Sequence, residues 1–308
     1  MTVAAVWAVM VLTLPVSAFA ARLVPVGTAV GIQVAVDGAL VEDLAQVAVE
    51  GGSCCPAGDA GVKAGDIITG VNGKTVHSLE EFAGMAGEFG ETPVELTIIR
   101  AGRSLCVTVT PVRSIEGRYQ LGLWLRDVVS GVGTVTYYDP KTGEYGALGH
   151  GINHTQSGAL IPVTQGQTCD ASIVDVVQGK RGTPGELTGS FDSSSQFGTV
   201  AANTVYGIFG TCIQPLGDCE AMETAAPGQT QTGPATILST VEGSEPREYA
   251  IRIDRIQQKN GEERYQFTVT DPILLEKTGG IVCGMGVSYN RDNTGNPNSL
   301  RGFQVTDP

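Results

Sequence analysis

Short segments of alternating apolar and polar residues, separated by glycine and proline turns, recur along most of the chain. Residues 133–138, 145–148, 249–256 and 265–270 are clear cases. A period of two is typical of strands that bury one face, and turn residues at such regular spacing favour a β sandwich or barrel. The 42 glycines in 308 residues supply the turns that many short strands require. The sequence therefore predicts a mostly β protein.

Charge and residue types exclude several classes of partner. The formal net charge is -13, whereas a surface that follows nucleic-acid phosphates needs an excess of Lys and Arg. We therefore expect no nucleic-acid partner. The chain has three histidines, His77, His150 and His154, and its seven cysteines show no paired CxxC spacing. The sequence accordingly predicts no metal site and no cofactor, and His154 is interpreted as a loop residue.

The N-terminal segment, residues 1–21, is almost wholly apolar and carries no charge. Its length allows a membrane span, while Pro15 and the run Ala18-Phe19-Ala20 are typical of the cleavage region of a signal peptide. The segment therefore predicts export across a membrane or anchoring in it. A buried core helix is the alternative interpretation.

The run CPAGDAGVKAGDIITGVNGKTVHSLEEF, residues 55–82, has the most specific local signals. Asn72-Gly73 is a strong hairpin turn because both positions tolerate positive φ. Ser78 and Glu81 have the spacing of a capping box, which predicts that a helix begins at Leu79 and continues to about Phe89. Alternating segments on both sides of these features complete a small folded unit from about residue 22 to residue 113.

This unit resembles a PDZ domain of the kind attached to bacterial proteases. The resemblance implies a groove between a strand and the helix after Ser78, where a peptide adds as a further strand. It also implies that backbone amides before that strand hold the peptide's C-terminal carboxylate, a role that we assign to Val30, Gly31 and Ile32. The alternative is a PDZ-like unit that only packs against its neighbour.

Three features of residues 114–308 indicate serine-peptidase chemistry. His150 ends the run GALGH, Asp271 ends the strand YQFTVTD, and a glycine-rich turn follows at 284–286. A serine peptidase needs a base for the hydroxyl proton, a carboxylate that orients the base, and backbone N–H groups aimed at the oxyanion. Each feature also has a structural interpretation, because histidines in glycine turns and aspartates before proline commonly shape turns.

Longer motifs resemble the SpoIVB peptidase family, the stage IV sporulation protein B serine peptidases of spore-forming bacteria. The matching runs are LGLWLRDVVSGVGTVTYYDPKTGEYGALGHGI, RGTPGEL, NTVYGIFG and DPILLEKTGGIV. The resemblance implies an N-terminal signal or anchor, a PDZ domain, and a peptidase domain of the trypsin-like double β-barrel type. It also implies a Ser-His-Asp mechanism.

The resemblance assigns roles to individual positions of this chain. His150 corresponds to the base and Asp271 to the orienting carboxylate, while the amides of Gly284 and Gly286 would form the oxyanion pocket. The family's nucleophile is the first serine of GMSGSP, and that position is Gly286 here, so no acyl-enzyme can form at it. Ser288 matches the second serine, about 6–7 Å further along an extended chain, and is a weak substitute.

The last segment, 286–308, departs from the family pattern. Asn290, Asn293, Asn296 and Asn298 fall within this stretch, whereas the preceding 285 residues contain four asparagines in total. The abrupt change suggests a shifted reading frame or a replaced C-terminus, so we expect the second barrel to be incomplete. Cys283 is a stronger nucleophile than Ser288 but lies three residues before position 286.

Two functions from different classes follow from this sequence. The first is a sporulation serine endopeptidase that cleaves a membrane-associated regulatory protein in the space between mother cell and forespore. Because position 286 is glycine, this chain is expected to be inactive in that reaction. The second is a non-catalytic adaptor, in which the PDZ groove binds peptide or protein C-termini and the peptidase domain is a scaffold.

Overall fold

The structure is a computed structural model that describes residues 21–148, 150–180, 185–217, 220–226, 228–259, 262–280, 287–291 and 297–302. Most of the predicted signal segment, residues 1–20, lies outside this part of the chain. In the described part, no helix is long and apolar enough to cross a bilayer. The elements in chain order are β1 (Arg22–Pro25), β2 (Ala29–Leu44), β3 (Val47–Val49), β4 (Gly52–Cys54), α1 (Pro56–Asp59), β5 (Ile67–Val71), β6 (Lys74–Thr75), α2 (Leu79–Ala86), β7 (Val94–Arg100), β8 (Arg103–Val109), β9 (Val112–Arg113), β10 (Tyr119–Gln120), β11 (Leu123–Tyr138), β12 (Glu144–Ala147), β13 (Gln165–Val177), β14 (Glu186–Thr204), β15 (Gly207–Cys212), β16 (Met222–Glu223), β17 (Gly233–Ser239), β18 (Arg247–Lys259), β19 (Glu262–Val269), α3 (Pro272–Thr278), β20 (Val287–Arg291) and β21 (Pro297–Gly302).

Six strands close into a ring in the order β2, β11, β12, β15, β14 and β13, which returns to β2. Each strand of the ring is thereby paired with a strand on both sides over at least part of its length. Its interior is filled by alternate residues of these strands, including Ile32, Phe197 and Ile208. Tyr145 is 1% exposed, and its hydroxyl donates to the carbonyl of Thr199 at 3.1 Å. Burial raises the pKa of this phenol to about 12, so it stays a neutral donor.

A second core lies between β5, β7, β8 and helix α2. Ile68, Leu96 and Ile98 are fully buried there, with Phe82 of α2 packed over them. The predicted cap is confirmed, because the Ser78 hydroxyl accepts a hydrogen bond from the amide of Glu81 at 3.2 Å. The helix ends at Ala86, three residues earlier than predicted.

Two long strands belong to both cores. The first half of β2 and the last part of β11 line the barrel. The other ends of the two strands, Leu40 to Leu44 of β2 and Leu123 to Arg126 of β11, lie beside α2. The two strands pair antiparallel from Leu123↔Leu44 to Thr134↔Ala29. Residues 30–35, which the sequence assigned to the PDZ unit, pair on both sides with strands of the ring. Pairing between residues so far apart in sequence leaves no local signal.

The remaining strands form an open five-stranded sheet in the order β19, β18, β17, β20 and β21. Helix α3 packs on it through Leu274, which is fully buried among Ile251 and Ile253. The mostly β prediction is confirmed. Of the two predicted barrels, one is a closed ring and the other, in the described residues, is this open sheet.

Candidate active site and peptide groove

His150 lies in a loop that leaves the barrel at the end of β12. The amide of Leu148 extends the β12–β11 pairing by donating to the carbonyl of Thr134 at 3.0 Å, and His150 follows two residues later. Its Nδ1 is 3.0 Å from the carbonyl oxygen of Gly151. A carbonyl only accepts, so Nδ1 is the donor in this contact. The base of a Ser-His-Asp arrangement also carries a proton on Nδ1.

Asn203 of β14 holds this loop against the barrel. Its amide nitrogen donates to the carbonyls of Ile152 and Ile161, each at 2.8 Å, and its oxygen accepts from the amide of Ile152 at 2.8 Å. At Gly151, a Cβ would lie 2.6 Å from the carbonyl oxygen of Thr204, so the loop tolerates only glycine at that contact. Asn203 belongs to the NTVYGIFG run, to which sequence reasoning gave no role.

Asp271 caps helix α3 on the second sheet. Its Oδ1 accepts from the amides of Ile273 and Leu274 at 2.9 and 3.0 Å. An N-cap carboxylate of this kind satisfies helix amides that have no partner within the helix. The structure thus shows the structural role, while the orientation of His150 by Asp271 stays a prediction.

The other predicted catalytic positions lie at the end of the chain. Gly284 and Gly286, like Cys283, fall outside the described residues. Ser288 lies in β20, where it is opposite Ile237 of β17 and Arg301 of β21. Its backbone is thereby held in the middle of the sheet. Its role as a substitute nucleophile is untested.

His154 is not a simple surface loop residue, because it is 3% exposed. Its Nδ1 lies 3.2 Å from the Ser157 hydroxyl, and its Nε2 lies 3.8 Å from a carboxylate oxygen of Glu42. Glu42 also pairs with Arg126 at 2.5 Å. These contacts join the loop after His150 to β2 and β11. Within the described residues, no group of three or more His, Cys, Asp or Glu side chains is placed to hold a metal ion.

The assignment of Val30, Gly31 and Ile32 to peptide binding is wrong. These residues pair with β11 on one side, at positions 131–133, and with β13 on the other, at positions 168–170. Both edges of this part of β2 are therefore occupied by strands of the barrel. A peptide cannot add as a strand where no edge is open.

A groove with the required form lies instead between α2 and the start of β11. It encloses about 300 Å³, and the carboxylate of Asp127 on β11 accepts from the first helical amide, Leu79, at 3.1 Å. That bond sets the spacing of helix and strand at one end. The apolar lining is provided by Phe82, Ala86, Phe89, Leu121, Leu123 and Leu125.

The loop that enters β11 has backbone donors without partners. Among the described residues, the amides of Leu121 and Gly122 donate to no protein acceptor, while their carbonyls accept from Ala57 and Ala45 at 2.8 and 3.0 Å. Gly122 has φ +76°, and a Cβ there would lie 2.5 Å from the carbonyl oxygen of Ala45. The run Gln120-Leu121-Gly122-Leu123 was the signal that sequence reasoning missed.

The PDZ groove and the barrel with its histidine loop define a class, a PDZ domain joined to a peptidase-type β domain. Two family models match the chain, SpoIVB peptidase S55 over residues 117–290 and a PDZ domain over residues 52–100. A search of curated proteins found no match. The peptidase match covers more than half of the sequence, and the chain belongs to the SpoIVB peptidase S55 family.

Proposed function

We propose that this chain is a SpoIVB-type peptidase that binds polypeptide C-termini in the groove beside α2 but does not hydrolyse them. The observation that carries the binding proposal is the apolar pocket next to the two unpartnered amides, of Leu121 and Gly122. Backbone amides of this kind capture a terminal carboxylate. The pocket then receives the last side chain of the peptide, which we expect to be apolar.

Loss of hydrolysis follows from position 286. A Ser-His-Asp mechanism needs a hydroxyl whose proton passes to Nε2 of the base, and glycine supplies none. The chain has the other two proposed members, His150 and Asp271. Asp271 retains one carboxylate oxygen, Oδ2, that accepts no hydrogen bond from the described residues. The adaptor function is therefore the proposal for this sequence.

The catalytic function is the second candidate, favoured by the match of residues 117–290 to the SpoIVB peptidase family. With a serine at 286, we propose an endopeptidase in which Asp271 orients His150, and the amides of Gly284 and position 286 bind the oxyanion. Its substrate would be a membrane-associated regulatory protein of sporulation, cleaved outside the membrane in the space around the forespore.

Binding is tested with peptides that end in a free carboxylate after leucine or phenylalanine, measured by fluorescence polarisation. The same peptides with an amidated end should bind at least about ten-fold more weakly, because the amide nests bind an anion. Ala86→Glu places a charge in the apolar pocket and should abolish binding. Ala83→Glu, on the exposed side of the same helix, is the matched control. Equal binding by the two variants would refute the groove.

Catalysis is tested by restoring the hydroxyl. Gly286→Ser should gain measurable cleavage of an unfolded protein substrate, and Gly286→Ser combined with His150→Ala should lose it. Cleavage by the Gly286→Ser variant that survives His150→Ala would contradict the proposed mechanism. Reaction of the Gly286→Ser variant with a fluorophosphonate reports the activated hydroxyl independently of the substrate chosen.

A further inference from the structure

The two edges of strand β11 differ in how far they are paired with other strands. One edge pairs with β2 from Leu123 to Thr134, with register shifts after Trp124 and between Arg126 and Val128. The other edge pairs with β12 from Val135 onward, and between 123 and 133 no strand of the described residues occupies it. Trp124, Val128 and the segment 130–131 are exposed in this stretch. An edge of this length presents a row of backbone donors and acceptors to solvent.

The two ends of this open edge are the two regions described above. At one end are the pocket and the amides of Leu121 and Gly122. At the other end the amide of Leu148 donates to Thr134, and the Leu148 side chain covers Gly133, where a Cβ would lie 2.3 Å from its Cδ2. His150 comes two residues after Leu148. The open edge therefore runs from the peptide pocket to the histidine loop.

We propose that this edge is a single track for an extended polypeptide, which connects the PDZ pocket to His150. A chain anchored by its carboxylate at Leu121 would run antiparallel to β11. From Leu123 to Gly133 is ten residues, about 33 Å at roughly 3.3 Å per residue. The segment that reaches His150 is then about ten residues before the C-terminus of the bound protein.

The composition of the edge supports a polypeptide as its occupant. Proteins usually protect an open edge with lysine, proline or a short strand, and residues 123–133, LWLRDVVSGVG, contain neither lysine nor proline. The register shift between Arg126 and Val128 is the one irregularity opposite β2 after the groove. The edge is also continuous with a PDZ groove, where strand addition is the binding mode.

The proposal rests on the proposed binding function, and a peptide length series separates the two. A four-residue peptide fills the pocket alone, whereas a twelve-residue peptide with the same C-terminus also covers the edge to Gly133. Several added backbone hydrogen bonds should tighten binding by roughly ten-fold or more. N-methylation of alternate residues in the distal half should remove that gain. If the two lengths bind equally, the track is refuted and the pocket stands. If neither binds, both proposals fail.

A photoreactive residue in the twelve-residue peptide tests where its distal part lies. Placed ten residues before the C-terminus, it should crosslink to the segment 148–152, identified by mass spectrometry. Placed five residues before the C-terminus, it should crosslink near Val128 instead. Ala86→Glu should abolish both products, and Ala83→Glu should leave both unchanged. Crosslinks from the distal position that map elsewhere would overturn the proposal even if the longer peptide binds more tightly.

Discussion

The pocket and the His150 loop stand at opposite ends of one strand edge, yet they are built in different ways. The pocket is lined by residues 45–47, by helix α2 with Phe89, and by residues 119–123 with Leu125, around a single core. The proposed catalytic site combines the loop after β12, the cap of α3 and position 286, which are far apart in sequence. A binding site with local parts survives changes elsewhere in the chain. A catalytic site with distant parts fails when one of them changes.

The largest expected effect concerns the barrel that supports the His150 loop. At Gly210 of β15, a Cβ would lie 1.8 Å from the carbonyl oxygen of Thr199, so Gly210→Ala must push two paired strands apart. We expect the free energy of unfolding to fall by about 3 kcal/mol or more, measured by chemical denaturation. Gly131→Ala on the open edge, where a Cβ meets nothing within 4 Å, should change it little. Equal stability of the two variants would contradict the closed barrel.

Asn203→Ala should loosen the loop without disturbing the pocket. The change removes the partners of the Ile152 amide and the Ile161 carbonyl, at a cost of about 2–3 kcal/mol. Hydrogen exchange of the Ile152 amide should accelerate. Peptide binding should stay within two-fold, because Asn203 does not line the pocket and distant sites act independently. Asn153→Ala, in the same loop but exposed, is the control. An unchanged exchange rate at Ile152 would show that Asn203 does not hold the loop.

Asp271 allows the cap and the proposed catalytic role to be separated. Asp271→Ala should cost about 1 kcal/mol of stability, whereas Asp271→Asn should cost less because asparagine also caps helices. In the Gly286→Ser background, we expect both substitutions to reduce cleavage strongly, since neither provides a carboxylate for His150. Full activity of the Asp271→Asn form would show that Asp271 caps α3 but does not take part in catalysis.

The smallest effect lies at the pocket end, where His77 contacts Asp37 at 2.7 Å. The hydrogen bond and then the charge of Asp37 raise the pKa of His77 above 6.5. A raised histidine pKa adds stability below pH 6.5, and this contribution is lost as pH rises through the folded-state pKa. The Tm difference between the unmodified chain and His77→Gln should therefore be larger near pH 5.5 than at pH 8. A Tm difference that grows with pH would contradict a raised pKa of His77 in the folded state.

Local features of this fold were predictable from sequence, and long-range ones were not. The turn at Asn72-Gly73 has positive φ at both residues, and Ser78 caps α2, because each signal depends on neighbours within four residues. Alternation in residues 29–36 indicated a strand but not its partners. Its pairing on both sides by the barrel, which removed Val30 to Ile32 from the groove, depends on strands about 100 and 140 residues away.

The same limit applied to the site. His150 and Asp271 were singled out from motifs, and their loop and cap positions were found in the structure. The pocket was missed because Leu121 to Leu123 were assigned to the start of the peptidase motif LGLWLRDVV, and nothing in that motif indicates a partner helix about 40 residues earlier. Asn203 was missed because an asparagine near a turn has many local explanations.

The paired passage of β2 and β11 through both cores has a practical consequence for dissecting the molecule. Ala35 and Val128 are direct partners across the two strands. The PDZ unit is therefore inserted between two neighbouring positions of the barrel. A two-residue turn in place of residues 36–127 would retain the pairing of residues 29–35 with 128–134 and the pairings among the other strands of the ring. The excision would uncover Ile161, which packs on Leu40 and Ile67, and a polar residue there would complete a minimal barrel. Cutting the chain at residue 113, by contrast, would separate strands that belong together.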